Sequence, residues 1–218
     1  MTTYEKHLQD RGLDQYTLDG AINPEKWAAS KVKVLFLLKE NYGYQECGIV
    51  RISDLAHGWL DDGIPTYLKS VPLAASIEIA LQRNRPLSQD EINSVANNSE
   101  LLHATLDKMA VVNIKKHSGN SKSNDAEIRD ESRMNASLLN AQISELAPTI
   151  IVAGGTVCWH SLVFDIGLFD SVQECQKFEA VICGNTVLCH SNHPAAWAGG
   201  GFDIGTLHHA IFSAINKA

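Results

Sequence analysis

Four short polar clusters in the sequence carry side chains able to do chemistry on a polar organic ligand. They are Lys39-Glu40-Asn41-Tyr42-Gly43, Asn113-Ile114-Lys115-Lys116-His117, Gly154-Gly155-Thr156 and Ser191-Asn192-His193-Pro194. Together they offer a carboxylate, amides, an anion-binding turn and a histidine. A positioned carboxylate and a histidine are suited to acid–base and electrostatic catalysis. An amide pairs one donor with one acceptor, as is needed to read the polar edge of a ring.

Each cluster lies at the end of an apolar run that predicts a buried strand. The runs span residues 32–38, 109–114, 149–153 and 186–190, and residues 179–182 supply one further short strand. Continuous apolar runs are typical of parallel strands covered on both faces. Helical patterns separate them, so we predict a three-layer α/β/α sandwich around a central, mainly parallel four-stranded sheet. Function in such sheets lies at the carboxyl ends of the strands, where the four clusters would meet.

The rest of the chain predicts one domain over residues 1–218. Residues 1–30 are expected to form one or two short helices, an N-terminal helical extension, and residues 53–108 are mostly helical in pattern. Within that stretch Ser88 and Glu91 fit a capping box. Residues 115–125 are rich in Lys, Ser, Asn and Gly and predict a surface loop.

Composition excludes several classes of protein. The 218 residues are 44% hydrophobic and 20% charged, and no apolar run is long enough to cross a membrane. The N-terminus is unlike a signal peptide, so we expect a cytoplasmic protein. Five cysteines without a Cys-x-x-Cys pair make a disulfide framework or a metal site improbable, and we expect no cofactor. A net charge of -7 counts against a large non-specific nucleic-acid surface but permits a small basic site.

The order and spacing of the clusters resemble the uracil-DNA glycosylase superfamily over roughly residues 31–217. Glu40-Asn41-Tyr42 is similar to the acidic cluster after the first strand of that family, and Asn113-Ile114-Lys115-Lys116 to its Asn-x-x-Lys strand end. Residues 148–155 resemble its Pro-x-Ile-Ile-Val-x-x-Gly strand. His193-Pro194-Ala195-Ala196-Trp197 resembles its His-Pro-Ser motif and the loop that enters the minor groove.

The resemblance implies a base-flipping N-glycosylase with a role for each matching residue. Glu40 would position water and stabilise the cationic sugar, and His193 would donate to the developing oxyanion of the leaving base. Asn113 would select uracil over cytosine through its amide, with Asn41 beside it. Tyr42 would limit the room around the base, although core packing fits its sequence position equally well. Trp59, Tyr44 and His57 are candidates for the ring that stacks on the base, and the sequence does not choose among them.

The same resemblance implies contacts with DNA. Trp197 falls where the family has an apolar wedge that fills the gap left by a flipped nucleotide. Phosphate contacts or a local basic rim would come from Gly154, Gly155, Thr156, Ser191, Lys115 and Lys116. The alternative for Trp197 is a tryptophan of an exposed loop or of the core, and the alternative for the two lysines is a simply solvated lysine-rich loop.

The chain departs from the family pattern at several points. Glu40 stands where Asp or Asn is usual, Ala195 replaces the Ser of the His-Pro-Ser motif, and the cysteines of the iron–sulfur class are absent. Two hypotheses follow. The first is a glycosylase that excises uracil or a related deaminated base from DNA in base excision repair. The second is a non-catalytic relative that binds a nucleotide, a modified base or a nucleic-acid end. An unrelated doubly wound hydrolase is a third option.

Overall fold

The computed structural model describes residues 16–41, 49–117, 119, 123–169, 172, 175–197 and 204–217. The strands are β1 (Tyr16–Leu18), β2 (Gly20–Ala21), β3 (Val34–Leu38), β4 (Ile49–Arg51), β5 (Met109–Asn113), β6 (Ile150–Gly154), β7 (Ala180–Cys183) and β8 (Thr186–Ser191). The first helices are α1 (Pro24–Ala29), α2 (Ile52–Asp61), α3 (Pro65–Arg83), α4 (Gln89–Ala96) and α5 (Ser99–Leu106). They are followed by α6 (Asp125–Met134), α7 (Ala136–Leu146), α8 (Thr156–His160), a π-helix (Ser161–Asp165), a 3-10 helix (Pro194–Trp197) and α9 (Ile204–Ile215).

The main sheet is mixed and has six strands in the order β2-β5-β3-β6-β8-β7. Its centre is the predicted group of four, because β5, β3, β6 and β8 run parallel. The prediction of a four-stranded sheet is wrong at both edges, where β2 and β7 pair antiparallel to β5 and β8. β7 joins β8 through a two-residue turn that begins at Gly184 (φ 59°), as a tight hairpin requires. β1 and β4 form a separate parallel pair.

Helices cover both faces of this sheet. Alternate β3 residues point to opposite sides: Phe36 packs into one buried apolar cluster together with side chains of α2, α3 and α9. Leu35 and Leu37 pack into a second cluster with side chains of α1, α7 and α8. All five β3 residues are buried, because each face of the strand is covered by a helical layer. The chain is therefore an α/β protein with layers of helices on either side of a mixed sheet.

The described residues do not form the predicted N-terminal helical extension. Residues 1–15 lie outside the described part, and residues 16–21 contribute β1 and β2. Only α1 is helical: the Asn23 side chain accepts from the Lys26 N–H, and Pro24 occupies the first turn. β2 is bonded to the edge of β5, so this segment belongs to the domain itself.

Residues 53–108, which the sequence pattern predicts to be mostly helical, are mostly helical in the structure. This region divides into four helices, α2 to α5, and both hydrogen bonds of the predicted capping box between Ser88 and Glu91 are present. Among the described residues, no helix combines the length and the apolar character needed to cross a bilayer.

Candidate functional site

A cavity of about 540 Å³ opens at the carboxyl ends of β3 and β5. It is enclosed by the start of α3 and the turn after β8, and its volume is typical of small-molecule sites. Its described lining residues are Leu38, Lys39, Glu40, Asn41, Trp59, Ile64, Pro65, Thr66, Tyr67, Val111, Ser123, His193 and Ala195. Of Glu40, Asn113 and His193, the residues predicted to act on the base and the sugar, Glu40 and His193 share this cavity, whereas Asn113 does not line it.

One wall of the cavity is apolar and aromatic. Trp59 on α2 and Tyr67 on α3 have ring centroids 5.4 Å apart with planes tilted by 40°. Leu38 and Val111 extend the wall from the sheet. A planar ring would find a complementary surface here, because aromatic groups gain from packing beyond the burial of area alone. Trp59 could not be singled out from the sequence and Tyr67 was missed, because a spaced aromatic on a helix has no local signal of function.

Glu40 is held at the cavity with one carboxylate oxygen bound and the other unpartnered. Its side chain is 5% exposed, and Oε2 lies 3.1 Å from Nζ of Lys115. Oε1 is buried and has no hydrogen-bond partner among the described residues. Gly119 packs its backbone against this carboxylate, so that a Cβ at position 119 would collide with Glu40. A buried carboxylate oxygen without a donor is costly to maintain and is suited to accept from a ligand or water.

Two asparagine amides lie beside this carboxylate. Nδ2 of Asn113 donates to Oδ1 of Asn41 over 3.4 Å. This leaves Oδ1 of Asn113 and Nδ2 of Asn41 buried and without a partner in the described part of the chain. The pair keeps one free acceptor and one free donor even if both amides are reversed. Asn41 lines the cavity, whereas Asn113 is fully buried and lies behind it.

His193 presents a neutral imidazole to the cavity. The Ala195 N–H points to Nδ1 of His193 over 3.2 Å, which assigns the ring proton to Nε2. Burial lowers the pKa of His193 to about 4, and the nearby positive charge of Lys39 acts in the same direction. His193 is therefore a neutral hydrogen-bond donor at physiological pH.

This protonation state gives a direct prediction. Because the pKa of His193 is about 4 in the folded chain, we expect its imidazole ¹⁵N signals to keep the Nε2–H tautomer from pH 8 to pH 5. The ordinary histidine pKa is about 6.5, so the unfolded chain binds this proton first as the pH falls. The contribution of His193 to stability is then lost between about pH 6.5 and pH 4. Comparison with His193→Gln assigns the signals, and a midpoint near 6.5 in the folded protein would contradict the prediction.

The two lysines expected to form a basic rim are buried in ion pairs. Nζ of Lys115 lies between Glu40 and Glu127, 2.5 Å from Oε1 of the latter. Lys116 is fully buried, with Nζ 2.9 Å from Oδ1 of Asp19 and 2.9 Å from Oε1 of Gln142. The prediction of DNA contacts is wrong for both, because neither ammonium group reaches the surface. Charged groups are buried in this way only when they are paired.

Ser191 and Trp197 also point inward. The Ser191 hydroxyl is fully buried, and its one proton can be donated to the carbonyl of Ala153 at 3.2 Å or to that of Asn192 at 2.8 Å. Trp197 is 5% exposed, packs in the core, and donates from Nε1 to the Asn192 carbonyl over 2.9 Å. The 3-10 helix that begins at Pro194 turns this indole away from solvent, so the predictions of a phosphate contact and of a wedge are wrong for these two side chains.

The glycine turn after β6 serves packing. A Cβ on Gly154 would lie 2.7 Å from Leu38 Cδ2, and Gly155 has a φ of 127° that favours glycine. The Gly155 N–H donates to the Ser191 carbonyl over 2.9 Å and is not free for a phosphate. Thr156 is exposed at the first position of α8 and remains the accessible member of this turn. Tyr42 lies outside the described residues.

Comparison with known proteins does not assign the chain to a family. No protein-family model matches the chain, and no curated protein matches its sequence at a significant level.

Proposed function

We propose that this chain is a DNA N-glycosylase that removes uracil or a related deaminated base, on a uracil-DNA glycosylase-like scaffold, as a step in base excision repair. The observation that carries the proposal is the shared cavity of Glu40, Asn41 and His193. Among the described residues, Oε1 of Glu40 and Nδ2 of Asn41 have no partner, and His193 offers a neutral imidazole donor. These are the three kinds of group that N-glycosidic hydrolysis of a keto base uses.

The chemistry follows from the position of each group. A flipped base would pack against the wall formed by Trp59 and Tyr67, and Nδ2 of Asn41 would donate to a C=O group of the base. Nε2–H of His193 would donate to the base oxygen as negative charge develops there. The free oxygen of Glu40 would orient water and stabilise positive charge on the sugar.

A second candidate function is binding of a free nucleobase or nucleotide without cleavage. It is favoured by the burial of Lys115 and Lys116, which removes two cations from any DNA surface. Exposed Asp61 and Asp62 lie close in sequence to the cavity residue Ile64 and would repel a phosphate backbone. A small ligand would need no such surface.

One assay separates the two functions. The purified chain is incubated with single- and double-stranded oligonucleotides that contain uracil, hypoxanthine or xanthine, and the released base is measured by chromatography. Cytosine and thymine oligonucleotides serve as controls. We expect release of at least one deaminated base, and its loss in His193→Ala.

The binding arm uses free uracil and uridine monophosphate in calorimetry with wild-type protein and Asn41→Ala. Binding without base release, lost in Asn41→Ala, would favour the second candidate. Absence of both release and binding would overturn both.

A further inference from the structure

Two histidines on different helices face each other nitrogen to nitrogen. His57 lies on α2 and His103 on α5, and their Nδ1 atoms are 2.8 Å apart. The ring planes differ by only 4° and the centroids are 5.1 Å apart. Since the two nitrogens lie between the ring centres, the rings meet edge to edge, which is the arrangement of a hydrogen bond.

The outer nitrogens of both rings are bound to carboxylates. Nε2 of His57 lies 2.9 Å from Oδ1 of Asp107, and Nε2 of His103 lies 2.9 Å from Oδ1 of Asp61. Lys26 on α1 adds a charge at 2.6 Å from the other oxygen of Asp107. An ionised carboxylate only accepts hydrogen bonds, so each Nε2 carries a proton. We call Asp61, His103, His57 and Asp107 the histidine clasp.

Counting protons fixes the charge of the histidine clasp. Two neutral rings protonated at Nε2 would place one Nδ1 lone pair against the other, which is repulsive at 2.8 Å. A hydrogen bond there needs a third proton, so the pair carries one positive charge between two carboxylates. Among the described residues, no set of three or more His, Cys, Asp or Glu side chains is arranged to hold a metal ion. A shared proton accounts for the contact by itself.

We infer that the histidine clasp is a pH-dependent link between α2 and α5 that closes when His57 and His103 share one proton. Loss of that proton at higher pH sets two lone pairs against each other, and a fourth proton at lower pH sets two N–H groups against each other. The link is therefore strongest at intermediate pH. The side chains of His57 and His103 are 42% and 30% exposed, so solvent protons reach them.

The charged groups around the histidine clasp lie on α1, α2 and α5 or directly after α5. Asp61 and Asp107 favour the shared proton, and Lys26 partly offsets Asp107. Asp54 and Glu100 lie one turn earlier on α2 and α5. Since α2 also carries Trp59 of the cavity wall, the clasp fixes the helix that borders the candidate site. The inference does not rest on the proposed function and holds whether or not a base is cleaved.

The test follows the imidazole nitrogens by ¹⁵N NMR over a pH series, with a metal chelator present. We expect a scalar coupling across the hydrogen bond between the two Nδ1 atoms that is strongest at intermediate pH, with both Nε2 atoms protonated throughout. The coupling should be absent in His103→Gln, while His209→Gln, at an exposed histidine of α9, should leave it unchanged. Absence of the coupling in the wild type at every pH would overturn the inference.

Thermal unfolding gives a second readout that survives a loss of NMR signal. The difference in Tm between the wild type and His103→Gln should be largest at intermediate pH and shrink toward both acid and alkaline pH. His209→Gln should show no such maximum. A difference in Tm that does not vary with pH would also overturn the inference.

Discussion

Replacing Glu40 by glutamine is expected to lower the rate of base release by about 100- to 10,000-fold, with a much smaller change in the affinity for uracil. Glutamine keeps the shape of the side chain but removes the negative charge that stabilises a cationic sugar. In the proposed mechanism the base is bound by Asn41 and His193, two cavity residues that the substitution leaves in place. Single-turnover rates with a uracil-containing oligonucleotide and calorimetry with free uracil measure the two effects separately.

A matched control is available at the same end of the sheet. Asp125 pairs with Lys39 at 2.6 Å and its side chain is 61% exposed, so Asp125→Asn removes a nearby charge outside the proposed chemistry. We expect it to change the rate by no more than a few fold. A Glu40→Gln protein that is folded, binds uracil and retains the wild-type rate would remove Glu40 from the mechanism.

Asp19→Ala is expected to destabilise the fold by about 3–5 kcal/mol, because it removes the carboxylate that balances the buried charge of Lys116. The side chains of Lys116 and Asp19 are 1% and 0% exposed. Asp19 also accepts from the Asn113 N–H at 2.6 Å and from Nε2 of Gln142 at 2.8 Å, so one substitution removes bonds to three residues. Urea unfolding at pH 7 measures the loss.

The pH dependence of this loss has a defined sign. Burial lowers the pKa of Lys116, and the charge of Asp19 opposes that shift. Without Asp19 the folded chain gives up the lysine proton more readily than the unfolded chain does. Stability of the variant then rises with pH, so the deficit should be larger at pH 6 than at pH 9.

Two further variants distinguish this explanation from general damage. Asp130→Ala breaks an exposed contact, 3.6 Å from Arg133, and should cost less than about 1 kcal/mol. Adding Lys116→Met to Asp19→Ala should recover part of the loss, because it removes a buried charge that Asp19 no longer balances. If Asp19→Ala lowers the free energy of unfolding by less than Asp130→Ala does, the buried pair contributes little to stability.

The centre of the sheet and part of the site were predictable from the sequence. Continuous apolar runs mark strands that are covered on both faces, and the parallel order of β3 and β8 brings Glu40 and His193 to the same edge. The two edge strands were harder to place. β2 has only two residues, and the orientation of β7 depends on a two-residue turn.

The burial of the two lysines could not be predicted from their neighbourhood. Lys116 stands at the start of a polar, lysine-rich stretch, yet its partner Asp19 lies 97 residues away in sequence. Trp197 likewise follows a motif that suggested an exposed loop, whereas a short 3-10 helix turns its ring inward. Local composition describes the average environment of a segment, while a distant partner decides where a single side chain points.

The short strand β2 has a consequence for handling the protein. Gly20 and Ala21 bond to Ala110 and Val111 and so cover the outer side of β5. A fragment that begins after residue 21 would leave those backbone groups of β5 open to another chain. Unprotected strands of this kind recruit neighbouring molecules into intermolecular sheets. Gly20 and Ala21 therefore close this edge of the sheet at Ala110 and Val111.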